Sequence, residues 1–181
     1  MTDIDAILAE KGSFVKNAVN VLYLMKRIGG DHKMQILWIR HGQTPGNVQR
    51  RYVGRTDEGL TDEAKLCLQK KQILMQDLCV QTEGGRNPEE WHHAGAFVPD
   101  FVYSSPMLRC RETAEILFPG QVLCVQEGLQ ETDFGDFEYK NYEELKENPA
   151  YQAWIDSGGQ MTVPNGESGA GFRHRCCRAY E

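Results

Sequence analysis

The sequence predicts a single α/β domain with a largely parallel sheet. Short apolar runs that suit buried strands, the first being "MQILWI" (residues 34–39), alternate with longer stretches of helical periodicity. Strands that alternate with helices favour parallel strands joined by helical crossovers. The chain has 181 residues, of which 40% are hydrophobic and 25% charged, as expected of one soluble domain with a sizeable core.

Residues 1–33 are interpreted as an added helix and linker that precede the main domain at 34–181. Apolar residues recur on one helical face between Ile4 and Met25, and "RIGGDHK" then breaks the pattern. The alternative is that Met34 is the true start and that residues 1–33 are an artefact. The sequence leaves both interpretations open.

The other elements follow in chain order. Thr61 is a good N-cap for a helix through residue 80, and its apolar stripe is formed by Ala64, Leu68, Met75 and Leu78. A second strand lies within 96–105, and Ser105 with Pro106 predicts the start of the next helix, which runs to 118. A third strand within 121–126 and helices around 141–147, 149–156 and 166–180 complete the pattern.

Charge and cysteine content narrow the class of protein. A formal net charge of −6 argues against nonspecific nucleic-acid binding. No apolar stretch is long enough to span a membrane, and the acidic N-terminus does not resemble a signal peptide. The six cysteines lack the spacing of a zinc site and predict a reducing, cytoplasmic location.

Cationic side chains follow two of the predicted strands. Arg40 and His41 come directly after "MQILWI", and Arg109 lies one turn into the helix after the second strand. Ligands of parallel sheets bind at the carboxyl ends of strands, where two guanidinium groups would neutralise a phosphoryl dianion. Gly42 and Gly46 would leave backbone amides of the loop exposed to the same anion.

A histidine between arginines is expected to stay neutral and therefore nucleophilic toward phosphorus. The leaving oxygen needs a proton, and Glu131, after the third strand, is the candidate donor. Like-charge repulsion from Asp133, Asp136 and Glu138 would raise its pKa, although Asp133 and Asp136 are close competitors for the role.

Four segments, in order and rough spacing, resemble the histidine phosphatase superfamily, also called phosphoglycerate mutase-like: "RHGQTPGN", "SSPMLRCRETA", "LQETDFGDFE" and "PNGES". The resemblance covers residues 34 to about 175, and the overall form is similar to the small bacterial phosphatases of that family. It implies a three-layer sandwich around a mostly parallel sheet.

The resemblance also implies roles for individual residues. His41 would be the residue phosphorylated and Glu131 the proton donor, while Arg40, Asn47 and Arg109 would bind the phosphate. It implies no metal ion and no organic cofactor.

The chain departs from the family pattern at several positions. Gly59 and Ala64 replace the usual proline and glycine after the first loop, and Tyr139 replaces a glycine. The family's second histidine, usually in a T-H-G-G segment, has no match, because His174 lacks the expected sequence around it. The sequence therefore predicts a fragment whose sheet is incomplete, with a gap beside "MQILWI" that exposes strand edges.

Three functions remain open on the sequence. The leading one is a phosphomonoester hydrolase that acts on a small phosphorylated metabolite through a phosphohistidine. The second is a phosphoglycerate mutase, although dimeric mutases are expected to carry inserted segments that have no match in this short chain. The third is an inactive remnant that binds phosphorylated ligands without turnover. Neither the substrate nor the oligomeric state can be read from the residues.

Overall fold

A computed structural model describes residues 21–28, 33–82 and 99–180. The elements in chain order are β1 (Val21–Ile28), β2 (Lys33–Arg40), α1 (Pro45–Val48), α2 (Asp62–Thr82), β3 (Phe101–Ser104), α3 (Leu108–Leu117), β4 (Leu123–Val125), α4 (Tyr142–Leu145), α5 (Pro149–Asp156) and α6 (Gly169–Arg178). Two short 3₁₀ turns, Glu127–Leu129 and Gly135–Phe137, lie between β4 and α4.

The described strands form one sheet in the order β2-β1-β3-β4. β3 and β4 are parallel, whereas β1 is antiparallel to both of its neighbours. β2, β3 and β4 therefore run in the same direction, and their carboxyl ends lie at one edge of the sheet. This arrangement confirms the α/β class and the mostly parallel sheet.

The helix predicted for residues 3–26 is wrong where it can be compared, because Val21–Ile28 is a strand. The remainder of that helix lies outside the described residues. Periodicity cannot distinguish a short apolar run in a helix from one in a strand. Pairing with the sheet decides that residues 21–28 form a strand. β1 lies between β2 and β3 and satisfies the backbone hydrogen-bonding groups on the edges that face it.

On the side of "MQILWI" that faces β3, β1 fills the gap expected from the sequence, whereas the other side of β2 is the end of the described sheet. β1 pairs with β2 along the whole strand, from Val21 opposite Arg40 to Ile28 opposite Lys33. Its other edge pairs with β3 through Tyr23, Leu24 and Met25. The edge of β2 that faces β3 is therefore covered by residues from the N-terminal segment.

The cap predicted for α2 is confirmed, and the one predicted for α3 is wrong. The Thr61 hydroxyl accepts a hydrogen bond from the backbone N–H of Ala64 at 3.2 Å. α3 begins at Leu108 rather than at Pro106, and Met107 occupies the N-cap position without a side-chain hydrogen bond. The Asp57 carboxylate accepts from the Leu108 N–H at 2.6 Å, so a distant loop supplies the cap that a local serine was expected to give.

Two hydrophobic clusters lie on either side of the loops that follow the strands. The first joins α2, α3 and the sheet and contains Leu60, Ala64, Leu68, Val102, Ala114, Leu117 and Phe118. The second lies under α4 and α5 and contains Phe137, Leu145, Tyr151 and Val163, with Tyr52, Phe134 and Trp154 packed against it. Within the described ranges no helix combines the length and apolar character that a membrane span requires.

Candidate active site

His41 is the first residue after β2 and is buried, with 9% of its surface exposed. Its Nδ1 lies 2.6 Å from the Gly42 carbonyl oxygen. Because a carbonyl oxygen only accepts, Nδ1 must carry the proton and Nε2 the lone pair. The backbone thus selects the tautomer in which the outer ring nitrogen is a nucleophile.

The imidazole is held neutral mainly by its burial. Burial, followed by the positive charges of Arg109 and Arg40, lowers the pKa of His41 to about 4, against the opposing effects of the Gly42 hydrogen bond and of Glu58. Neutrality was predicted from the arginines, but desolvation is the larger cause. The sequence does not reveal the extent of this desolvation, because the depth at which the loop is buried depends on tertiary structure.

Thr113 anchors Gly42, the residue whose carbonyl group orients His41. Its hydroxyl accepts from the Gly42 N–H at 3.0 Å and donates to the Arg109 carbonyl at 2.7 Å. Thr113 is fully buried on α3. This single side chain therefore connects the histidine loop with the helix that carries Arg109.

Arg109 is fully buried on the first turn of α3. Its Nη1 donates to the Thr56 carbonyl at 2.9 Å, and its Nη2 donates to the Gly54 carbonyl at 3.0 Å. A rigid guanidinium held by two carbonyls keeps one orientation. The loop at residues 53–56 thus determines where this positive charge lies.

Glu138 holds that loop in turn. Its Oε1 accepts from the backbone N–H groups of Gly54 and Thr56, each at 2.9 Å, and from the Thr56 hydroxyl at 2.7 Å. A Cβ on Gly54 would lie 2.1 Å from the Thr132 carbonyl oxygen, so the loop can approach residues 131–133 this closely only with glycine here. Sequence analysis placed Glu138 among the acids that perturb Glu131 and missed this positioning role.

Glu131 lies in the segment after the Glu127–Leu129 turn, and its Oε1 accepts from the Thr132 N–H at 2.8 Å. Burial raises the pKa of Glu131, while the Thr132 hydrogen bond and the charges of Arg109 and Arg40 oppose the rise. The predicted direction is confirmed, but its cause is desolvation rather than the neighbouring acids. The same two arginines act on His41 and Glu131, so these four residues form one electrostatic cluster.

The structure separates Glu131 from its competitors. Asp133 pairs with Arg55 at 3.2 Å and accepts from the Gly135 N–H at 2.9 Å. The exposed Asp136 accepts from the Asn165 side chain at 3.1 Å. Both carboxylates hold loop structure, whereas Glu131 shares the charges of Arg40 and Arg109 with His41.

Arg175 on α6 positions the segment that carries Glu131. Its Nη1 donates to the carbonyls of Gly128 and Gln130, each at 2.9 Å, and its Nη2 contacts the Glu131 carbonyl at 3.4 Å. Glu167 holds the guanidinium from the other side, with an Nη2 to Oε2 distance of 2.6 Å. The sequence offered no signal for this role, because Arg175 is distant in the chain and lies in no quoted motif.

Arg40 and Asn47 occupy the rim of the site. Arg40 ends β2 and is exposed. The Asn47 Oδ1 accepts from the Thr44 N–H at 3.2 Å, and the Thr44 hydroxyl accepts from the Asn47 N–H at 3.3 Å. Asn47 therefore caps the loop, as a turn former would, and its Nδ2 is the end of the carboxamide left to donate to an anion.

Glu58 was not predicted and connects the histidine loop to Tyr139. It accepts from the Gly46 N–H at 2.9 Å and from the Tyr139 hydroxyl at 3.0 Å. Tyr139 stands where the family pattern has glycine and adopts a φ of +57°, a value that favours glycine. Its hydrogen bond and the Arg51 guanidinium, 5.2 Å from the ring centre, compensate for that strain.

The described residues bring together no group of three or more histidine, cysteine, aspartate or glutamate side chains suited to a metal ion. His174 is exposed on α6, whereas His32, His92 and His93 lie outside the described residues. Each cysteine that the structure describes is a free thiol.

Comparisons with known proteins agree with this geometry. The chain is 28% identical over 152 residues to a mannitol-1-phosphatase of Eimeria tenella, an alignment that covers 82% of the chain and 44% of the relative. It is 27% identical over 146 residues to an adenosylcobalamin/alpha-ribazole phosphatase of Escherichia coli, covering 78% and 63%. The chain thus spans less than two thirds of either relative's length.

A solved structure shows the same fold. The crystal structure of the alpha-ribazole phosphatase from Shigella flexneri superposes with a TM-score of 0.62 at 25% identity, and the match covers 77% of this chain and 62% of that one. The family profile of the histidine phosphatase superfamily (branch 1) matches residues 88–181, about half of the chain. The chain belongs to the histidine phosphatase superfamily.

Proposed function

We propose that this protein hydrolyses a small phosphomonoester through a phosphohistidine at His41. The observation that carries the proposal is the pairing of a neutral histidine with a carboxyl group of raised pKa in one cluster with Arg40 and Arg109. Such opposed shifts separate a nucleophile from a general acid. The curated relatives named above are both phosphatases, which favours hydrolysis over the mutase alternative.

In the first step the Nε2 lone pair attacks phosphorus and the bond from phosphorus to the ester oxygen breaks. Arg40, Arg109 and the Nδ2 of Asn47 bind the phosphoryl oxygens, whose charge spreads in the transition state. The Glu131 carboxyl gives its proton to the leaving alkoxide. The hydrogen bond from Nδ1 to the Gly42 carbonyl supports the positive charge that the ring gains.

In the second step water attacks the phosphorus and the bond to Nε2 breaks. Glu131, now a carboxylate, accepts the proton from the water. Inorganic phosphate leaves, and both side chains return to their starting protonation states. The proposed steps use no metal ion and no organic cofactor. The expected partner is a small phosphorylated metabolite, and the expected location is the cytoplasm.

The proposal is tested by trapping the phosphohistidine at His41. The chain is mixed with p-nitrophenyl phosphate, quenched with alkali and analysed by mass spectrometry for a phosphoryl group on His41. His41→Gln is expected to remove the adduct. Adduct elsewhere, or none at all, would contradict the proposal, whereas an adduct that never turns over would support the remnant that binds phosphate without hydrolysis.

The Glu131→Gln substitution tests the proposed general acid while leaving the nucleophile, His41, in place. Its rate of phosphorylation by an alkyl phosphate is expected to fall about 10²- to 10⁴-fold, the usual contribution of a general acid. The loss with p-nitrophenyl phosphate should be much smaller, because nitrophenolate leaves without protonation. Equal losses with both donors would show that Glu131 is not the acid.

A further inference from the structure

A cavity of about 540 Å³ opens beside Glu131, in the size range of small-molecule sites. Its lining includes Glu131 and Thr132 together with the aromatic residues Tyr52, Phe134 and Trp154. The residue proposed above as the proton donor and the three rings therefore border the same space.

The three aromatic residues form a rigid wall. The Tyr52 and Trp154 rings meet edge to face at 5.7 Å and 86°, and the Phe134 and Trp154 rings do so at 6.5 Å and 88°. Behind them lies the cluster that contains the buried Phe137 and Tyr151. A wall supported by a packed core keeps its shape when a ligand enters.

Two polar side chains that line the cavity already have partners. The Tyr52 hydroxyl is hydrogen-bonded to the Tyr151 hydroxyl at 2.8 Å, so Tyr52 offers ring surface. Glu167 is ion-paired with Arg175. Gln160 and Arg173 line the cavity but are exposed. The faces of the aromatic rings accept no strong hydrogen bonds from a polyhydroxylated group, whereas a flat apolar ring would bury its surface against them.

We infer that the cavity binds the leaving-group alcohol and that the favoured substrate is a phosphomonoester whose alcohol carries a flat apolar or aromatic ring. This inference rests on the proposed function, because a group protonated by Glu131 must lie next to Glu131. The aromatic wall then selects among alcohols.

The test compares benzyl phosphate with ethyl phosphate as substrates of the full chain. The kcat/KM for the benzyl ester should exceed that for the ethyl ester by about tenfold or more, as expected when part of a phenyl ring is buried. Trp154→Leu, which keeps apolar bulk but removes the ring, should bring the ratio of the two kcat/KM values toward one. The matched control is Tyr142→Ala, an exposed aromatic residue outside the cavity lining.

A binding measurement keeps this inference separate from the proposed function. Benzyl phosphonate and ethyl phosphonate cannot be hydrolysed, and their dissociation constants are measured by calorimetry for the unmodified chain and both variants. Tighter binding of the benzyl compound, lost in Trp154→Leu, supports the cavity even if no phosphohistidine forms. Equal affinities, no binding of either compound, or a preference that survives Trp154→Leu would overturn it.

Discussion

Replacing Thr113 with valine tests how the histidine loop is held. Valine matches threonine in shape and branching, so packing and helix propensity change little. The hydroxyl that accepts from the Gly42 N–H at 3.0 Å is lost, however. Thr113 is fully buried and Gly42 is partly buried, so the Gly42 N–H loses the acceptor that the protein supplies.

The expected loss of stability follows from the lost hydrogen bond. A buried donor left unsatisfied costs about 1–3 kcal/mol of unfolding free energy. The Gly42 N–H and the Gly42 carbonyl that orients His41 lie on either side of one Cα, so movement of this residue displaces Nε2 from the phosphorus. Because misplacement by about 1 Å can cost about 10²-fold in rate, we expect a loss of about 10- to 100-fold in His41 phosphorylation.

Urea unfolding measures the first quantity, and rapid-quench phosphorylation by p-nitrophenyl phosphate measures the second. Thr113→Ser is the matched control, since it keeps the hydroxyl and removes only a methyl group, and it should retain most of the phosphorylation rate. If Thr113→Val equals the unmodified chain in both measurements, the hydroxyl does not anchor the loop and the reasoning fails.

The other expectations concern the acid segment, the histidine pKa and the Tyr139 substitution. Arg175→Lys keeps a positive charge but cannot reach three carbonyls, so kcat should fall about tenfold, with little change in KM and a shift in the limb of the pH profile that reports Glu131. An unmoved pH limb would contradict this. Between pH 6.5 and about 4 the unfolded chain holds a proton on His41 that the folded chain lacks, so stability should fall by about 3 kcal/mol as pH drops through this window. Urea unfolding of His41→Gln should lack this slope. Tyr139→Phe loses the hydrogen bond to Glu58 and should cost no more than about 1 kcal/mol in the same assay; a larger loss would reveal a further role for the hydroxyl.

The candidate site was predictable where its chemistry lies in short motifs. His41, Arg40 and Arg109 are marked by their positions after strands, and Glu131 by its acidic segment. Their roles stay predictions until the adduct is tested. The residues that hold them, Thr113 among them, carry no such mark, because a hydrogen bond across 71 positions of chain leaves no local pattern.

The fold was predictable to a similar extent. Alternation of strands and helices indicated the α/β class, and Thr61 correctly marked the start of α2. Two predictions were wrong for the same reason: the helix expected where β1 lies, and the local cap expected for α3. A strand is completed by its neighbours and a helix end can be capped by a distant side chain, as Asp57 caps α3.

By itself the sequence determined most of the elements from β2 onward and marked the candidate reactive groups, since side-chain chemistry and hydrophobic period are properties of local stretches. Tertiary structure alone decided that β1 lies between β2 and β3, that Arg175 holds the segment of Glu131, and that Glu131 lines the same cavity as three aromatic residues. It also set both pKa shifts, because desolvation depends on how deeply the folded chain buries a group rather than on its neighbours in sequence.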